Sequence, residues 1–336
     1  KGVPTVNVLV LLRPQELSEK AVYNVDQYVM RGGRLLVLAD KAEWAQPSER
    51  RQMNLRQVKT GIDSLLVTWG VRQAETLVKD DSCWTPLLHH NDRGRDIPMI
   101  SKYPYLPFIG GENLNRAFPA TAEAEMFIAL FANPLEIEAI EGIRATPFLR
   151  TSRRSWTESY SAMVHPYDVT LAHGEAIHQY QVPGDDTSFV ASPEHPLGSR
   201  VLGVALEGRF KSAFGDSAPP SQAKEGEASA PTELAHIPES QDGQRVVIFG
   251  DAEAFSDYAM FLCDPQGQFR SNVNMPILAN CLDWLTEDED LMSIRSRGIK
   301  RRLLNSDIPE PEKDFVQYLN YMIPAAIVLL GGLIWN

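Results

Sequence analysis

The sequence predicts an α/β protein: an open, mostly parallel sheet flanked by helices, closed at its C-terminal end by a transmembrane helix. Three observations predict it. A strand–helix–strand pattern opens the chain, further β-branched apolar runs recur in its second half, and the last residues form an uncharged apolar run.

The opening run "VNVLVLL", Val6 to Leu12, is short, apolar and β-branched, which suits a buried strand, and Pro14 ends it. Leu17, Ala21, Val22, Val25, Tyr28 and Val29 then recur at helical spacing, with Ser18 placed to cap the helix start. Gly32-Gly33 closes that helix, because glycine accepts a left-handed C′ conformation. "RLLVLAD" follows as a second buried strand. Such a unit predicts parallel pairing through a right-handed crossover. The opening strand lies so near Lys1 that upstream strands of the same sheet are expected outside this sequence.

"GIDSLLVTWGV" reads as a short helix and "ETLVKD" as a strand. Asp80 to Phe118 is rich in Pro, Gly and Asp and predicts a long irregular insertion. "ATAEAEMFIALF" fits a helix or a strand. In the second half, strands are expected at "TPFLRTS", "SFVAS", "RVLGVALEG" and "RVVIFGD". Between Gly215 and Gly243 only Leu234 and Ile237 are large aliphatics, too few to offset the entropy of ordering, so a disordered loop is expected there. Met275, Ile277, Leu278, Cys281, Leu282, Trp284 and Leu285 then line one broad helical face.

These elements divide the chain into an α/β region over 1–150, a second α/β region over 151–300 containing the 215–243 loop, a juxtamembrane linker over 301–315 and a transmembrane helix over 316–336. Met322 to Trp335 carries no charge and spans roughly 20 Å as a helix, and the residues from Val316 make up the ~30 Å of a hydrocarbon core. Met322, Pro324, Ile327, Leu330 and Trp335 mark this anchor, with Tyr318, Tyr321 and Trp335 suited to the interfaces. The plainer alternative is a buried C-terminal helix, against which the run lacks a polar stripe. The acidic "DIPEPEKD" before it suits the non-cytoplasmic side, and Arg301 and Arg302 weigh the other way.

Composition excludes some functions. With 43% apolar and 23% charged residues the 336-residue chain is globular, and its net charge of −12 opposes a nucleic-acid partner. The three cysteines, Cys83, Cys263 and Cys281, form no CxxC and read as small hydrophobes. Neither GxGxxG after a strand nor GxxxxGK[ST] occurs, so dinucleotide and P-loop binding have no support, and GxSxG is missing too. No cofactor and no metal is expected. His89-His90 with Asp92 reads as a solvated loop, His165, His173 and His178 share no ligand spacing, and "SRGIKRR" reads as a solvated surface. The best site by position is Asp251, Glu253 and Asp257 after "RVVIFGD", because ligands bind at the carboxyl ends of parallel strands. The plainer reading is that Asp251 caps the turn that follows.

Six stretches, in order, carry a resemblance: "LSEKAVYNVDQYVMRGGRLLVLAD", "NLNRAFPATAE", "ATPFLRTSRRSW", "LEGRFKSAF", "RVVIFGDAEAF" and "NCLDWLTEDEDLMSIRSR". Together they resemble the auxiliary subunits of gliding-motility-type ABC transport systems, which are often labelled substrate-binding by analogy. The resemblance implies a flavodoxin-like module, related in fold to class I glutamine amidotransferases but lacking their catalytic cysteine. It implies a place in the bacterial inner membrane with the soluble domain on the periplasmic side, and ABC permease and ATPase subunits as partners. The expected function is thus a non-enzymatic, membrane-anchored auxiliary subunit that contacts cargo or envelope partners and the permease. The alternative is a solute-binding module or a degenerate amidotransferase-like enzyme.

Overall fold

In the computed structural model Val8–Leu12 form β1, Glu19–Met30 form α1 and Arg34–Leu38 form β2. The structure describes residues 6–45, 54–84, 87–92, 95–100, 104–159, 196–216, 235–263 and 272–286, together with Tyr318 and Met322. The opening unit is built as the sequence dictates. Ser18 Oγ accepts from the Ala21 N–H at 3.3 Å, Gly32 takes φ +101°, and β1 and β2 pair in parallel from Val8↔Arg34 to Leu12↔Leu38.

Downstream lie β3 (Ala42–Ala45), β4 (Asn54–Gln57), α2 (Asp63–Thr68), β5 (Val71–Gln73) and β6 (Thr76–Asp80). Next come β7 (Leu87–Asp92), β8 (Arg95–Ile100), β9 (Phe108–Gly110), β10 (Met126–Ile128) and β11 (Leu135–Ile137). The remainder comprises β12 (Ile143–Arg150), β13 (Ser155–Ser159), β14 (Val201–Gly208), β15 (Gln244–Phe249), α3 (Asp257–Cys263) and α4 (Met275–Thr286).

The main sheet runs β1-β2-β15-β14-β11-β5, with β12 also paired to β14. Here the expected class is corrected. Only β1, β2 and β15 are mutually parallel; β14 is antiparallel to β15, β12 and β11, and β11 to β5. The sheet is therefore mixed, not mostly parallel, and departs from the flavodoxin and amidotransferase pattern. The physical reason is connectivity. Parallel neighbours need a long crossover, usually a helix, and only four α-helices occur among the described residues, so many pairings are antiparallel.

The transmembrane helix is corrected as well. Among the described residues no helix is long and apolar enough to cross a membrane, and the longest, at twelve residues, reach about 18 Å. Of the expected anchor, Pro324, Ile327, Leu330 and Trp335 lie outside the described residues, and Met322 is exposed. By its contacts the chain divides into units 1–296 and 297–336.

The main sheet is covered on both faces, which explains why β2 and β15 read as unbroken apolar runs. Leu35, Val37, Val246 and Ile248 face α1 and α2, packing with Val25, Val29, Leu65 and Leu66. Their neighbours Leu36, Leu38, Val247 and Phe249 face α4, packing with Ile277, Cys281 and Leu285. Arg245 Nη1 donates to the Trp284 carbonyl at 2.7 Å and ties down the end of α4. Truncating a buried Phe or Leu in such a core costs about 2–5 kcal/mol.

The segment from Asp80 to Phe118 is not simply irregular. It holds the β7–β8 hairpin, registered Leu87↔Ile100 to Asp92↔Arg95, and β9, which pairs with β10. His89 and His90 are strand residues, and the polar residues are bunched at the turn end of both hairpin strands, so no alternating apolar period announces it. "MFI" is strand, not helix. Of the 215–243 stretch, residues 235–243 are placed: Ile237 packs against the α1 side and its N–H donates to Gln27 Oε1 at 2.8 Å. The segments 217–234 and "SFVAS" lie outside the described residues.

Candidate functional site

The three parallel strands end side by side, and each is followed within four residues by a charged group: Arg13 after β1, Asp40 after β2, Asp251 and Glu253 after β15. An apolar strand must stop where its chain meets water, so its carboxyl end is where polar side chains first appear. Here they turn towards one another.

Asp251 is 1% exposed. Its Oδ2 accepts from the Leu130 N–H at 2.7 Å and its Oδ1 from the Ala254 N–H at 2.8 Å. It thus ties the turn after β15 to the segment after β10. Asp40 is 5% exposed; its Oδ1 accepts from the Ala252 N–H at 2.7 Å. Its Oδ2 makes no hydrogen bond, although Arg13 Nε lies 3.3 Å away. The separation gives charge attraction, and the angle falls short of the alignment a hydrogen bond needs. Arg13 Nη1 donates to Glu253 Oε2 at 2.6 Å, and Ser256 Oγ donates to Glu253 Oε1 at 2.8 Å.

Burial pushes the Asp251 carboxyl well above the ordinary range, helped by the Asp40 charge and opposed by the two N–H donors. Burial likewise pushes Asp40 up to about 6; the Ala252 N–H and Arg13 oppose it, and the Glu253 charge adds to it.

Asn133 frames the cluster. Its Oδ1 accepts from the Lys41 N–H at 2.8 Å, its Nδ2 donates to the Thr76 carbonyl at 2.8 Å, and its own N–H donates to the Gly250 carbonyl at 2.7 Å. Gly250 is required there, because a Cβ would stand 2.1 Å from the Asn133 carbonyl oxygen. Arg13 and Phe131, on either side of the cluster, both hold left-handed backbone, at φ +48° and +55°. Non-glycine residues adopt this only when their surroundings over-determine it.

Chemically the arrangement can hold protons and an ion pair. Among the described residues, the hollow beside it, lined by Ala254, Met260, Cys263 and Asn274, has about 10 Å³ of space, scarcely room for a water molecule. No group of three His, Cys, Asp or Glu among the described residues could hold a metal ion. Burial raises the Cys281 thiol far from nucleophilic range.

A family model described as "ABC-type uncharacterized transport system", an auxiliary family of such systems, matches residues 1–281. The chain belongs to this transport-auxiliary family. No curated protein matches it. The family match spans β1 to the middle of α4, so it includes the whole strand-end cluster.

Within this family member the three residues singled out by sequence part company. Asp251 and Glu253 come together, buried, with partners; Asp257 opens α3 and is exposed. Sequence reasoning missed Arg13 and Asp40. The signal was available: "LVLAD" and "VIFGD" are the same phrase, an apolar strand closing on an aspartate. His89, His90 and Asp92 lie on β7, whereas His165, His173, His178 and the basic "SRGIKRR" lie outside the described residues.

Proposed function

We propose that this chain is a non-enzymatic auxiliary subunit of an ABC-type transport complex, working beside a permease and its ATPase on the periplasmic side of the bacterial inner membrane. The observation that carries the reading is the transport-auxiliary family match over residues 1–281. The geometry supports it. Both oxygens of Asp251 and of Glu253 are engaged, by backbone N–H groups, Arg13 and Ser256, and the one oxygen without a hydrogen bond, Asp40 Oδ2, is buried behind Arg13. A reaction centre needs a reacting atom within hydrogen-bond reach of its acid or base.

Contact falls to the solvent side of this cluster. Arg13 is one-third exposed and Asp257 is exposed, and they are linked through Glu253 and Ser256. A partner docking there would read one cation and one anion held by a rigid frame. The module then couples cargo or envelope contact to the state of the transporter. The gliding-type specialisation is a narrower version of the same role.

The test is affinity capture of the tagged full-length protein from native membranes in mild detergent. Permease and ATPase subunits of one transport system should co-purify in fixed ratio. Recovery of the chain alone, monodisperse and without any transport subunit, overturns the reading.

A further inference from the structure

We propose that the carboxyl end of β1, β2 and β15 is a proton-operated clasp, in which Asp40 exchanges a proton with solvent past Arg13 and the guanidinium passes between a hold shared by Asp40 and Glu253 and a hold by Glu253 alone. The argument begins with counting. Three buried carboxylates, Asp40, Asp251 and Glu253, share one guanidinium; Glu43, which also feels Arg13, is paired with Arg56, and the nearby Lys41 with Asp63. The segment 128–133, packed against them, brings no titratable group. So many buried like charges cannot all be balanced, and the cluster relieves the excess by taking up protons, at Asp251, which burial pushes well above the ordinary range, and at Asp40, the one that meets solvent past Arg13.

The hydrogen bonds say where. Both Asp251 oxygens accept backbone N–H groups, and both Glu253 oxygens accept side-chain donors. Asp40 Oδ2 is the one carboxylate oxygen of the cluster without a hydrogen bond. A proton there displaces nothing. Burial sets Asp40 to titrate at about 6, so the exchange falls near neutrality. Access is through Arg13, whose side chain is 34% exposed while that of Asp40 is 6%.

The geometry makes the proton felt in the backbone. Arg13 closes β1 in a left-handed conformation, with its N–H donated to the Leu38 carbonyl at 2.9 Å and its side chain reaching across to both carboxylates. Neutral Asp40 gives up its attraction for the guanidinium, and Arg13, just past the paired end of β1, is then held by Glu253 and its one backbone bond.

The experiment is carboxyl-carbon NMR of the uniformly ¹³C-labelled full-length chain, assigned through the backbone, together with amide hydrogen exchange normalised for its intrinsic pH dependence. Asp40 should titrate near 6 in the wild type. Its midpoint should rise by about half a unit or more in Arg13→Met, which removes the cation, and fall in Glu253→Gln, which removes a like charge. Protection of the Arg13 amide should drop as Asp40 takes its proton. If Arg13→Met does not fold, the wild type and Glu253→Gln still decide. An Asp40 midpoint below about 5, or one unmoved by the variants that fold, overturns the clasp.

Discussion

Asp80 and Asp40 are both aspartates buried where a strand ends, and they are held in opposite ways. Asp80 closes β6 and accepts three hydrogen bonds: the Ser82 N–H at 2.9 Å, the Ser152 N–H at 2.7 Å and the Ser152 hydroxyl at 2.5 Å. Both of its oxygens are occupied, and no cation is among its hydrogen-bond partners. Asp40 has one oxygen without a hydrogen bond and shares an arginine with a second carboxylate. Burial raises both carboxyls. The difference teaches that burial alone does not distinguish a fastener from a proton site; the number of fixed donors does. Asp80 joins β6 to the turn between β12 and β13. Asp40 keeps a lone pair available.

The largest effect should come from cutting the fastener. Asp80→Ala leaves three donors without an acceptor, at about 1–3 kcal/mol for each that water cannot reach, and should lower stability by roughly 3–5 kcal/mol in urea unfolding. A loss under about 1 kcal/mol would mean that Asp80 is no fastener, and the contrast would collapse.

The next effect is a pH dependence. Asp40 is raised from 3.8 unfolded to about 6 folded. A raised carboxyl favours the folded state when protonated, so its contribution is fully present below the unfolded value and is lost as pH rises through about 6. The shift is worth roughly 3 kcal/mol between about pH 4 and about pH 7, as an order of magnitude. Asp40→Asn keeps an acceptor for the Ala252 N–H and carries no titration. The wild type minus variant stability, measured by urea unfolding across that window, should therefore fall with rising pH. A flat difference would put Asp40 in the same class as Asp80.

The smallest effect belongs to Asp257. It is exposed, and Asp257→Asn should change stability by less than about 0.5 kcal/mol while weakening any partner that docks beside Arg13. Were the variant strongly destabilised, Asp257 would belong to the frame and not to the contact surface.

The strands that frame this contrast were partly legible in sequence, the contrast itself was not, and the limits are physical. The β1–α1–β2 unit could be read because local rules agree there: Ser18 caps, Gly32 terminates, and the apolar periods are unambiguous. Asp251 could be found because strand ends collect ligands. Arg13 and Asp40 were missed as its companions because their meeting depends on β15 pairing with β2, a contact more than two hundred residues apart in the chain. The mixed sheet was missed for the same reason. A strand buried on both faces reads alike whether its neighbour runs parallel or antiparallel, so β14 gave no sign of its direction. The β7–β8 hairpin escaped because its polar residues are grouped, His89 to Asp92 and Arg95 to Asp96, and so give no two-residue alternation.

The measurement that bears most directly on the proposed role is ATP hydrolysis by the permease–ATPase complex proposed as its partner, reconstituted in proteoliposomes with and without the full-length protein. A regulatory auxiliary subunit predicts a saturable change in hydrolysis rate on adding the wild type, reduced with Asp257→Asn. An unchanged rate, from a complex that does not bind the protein, would contradict it.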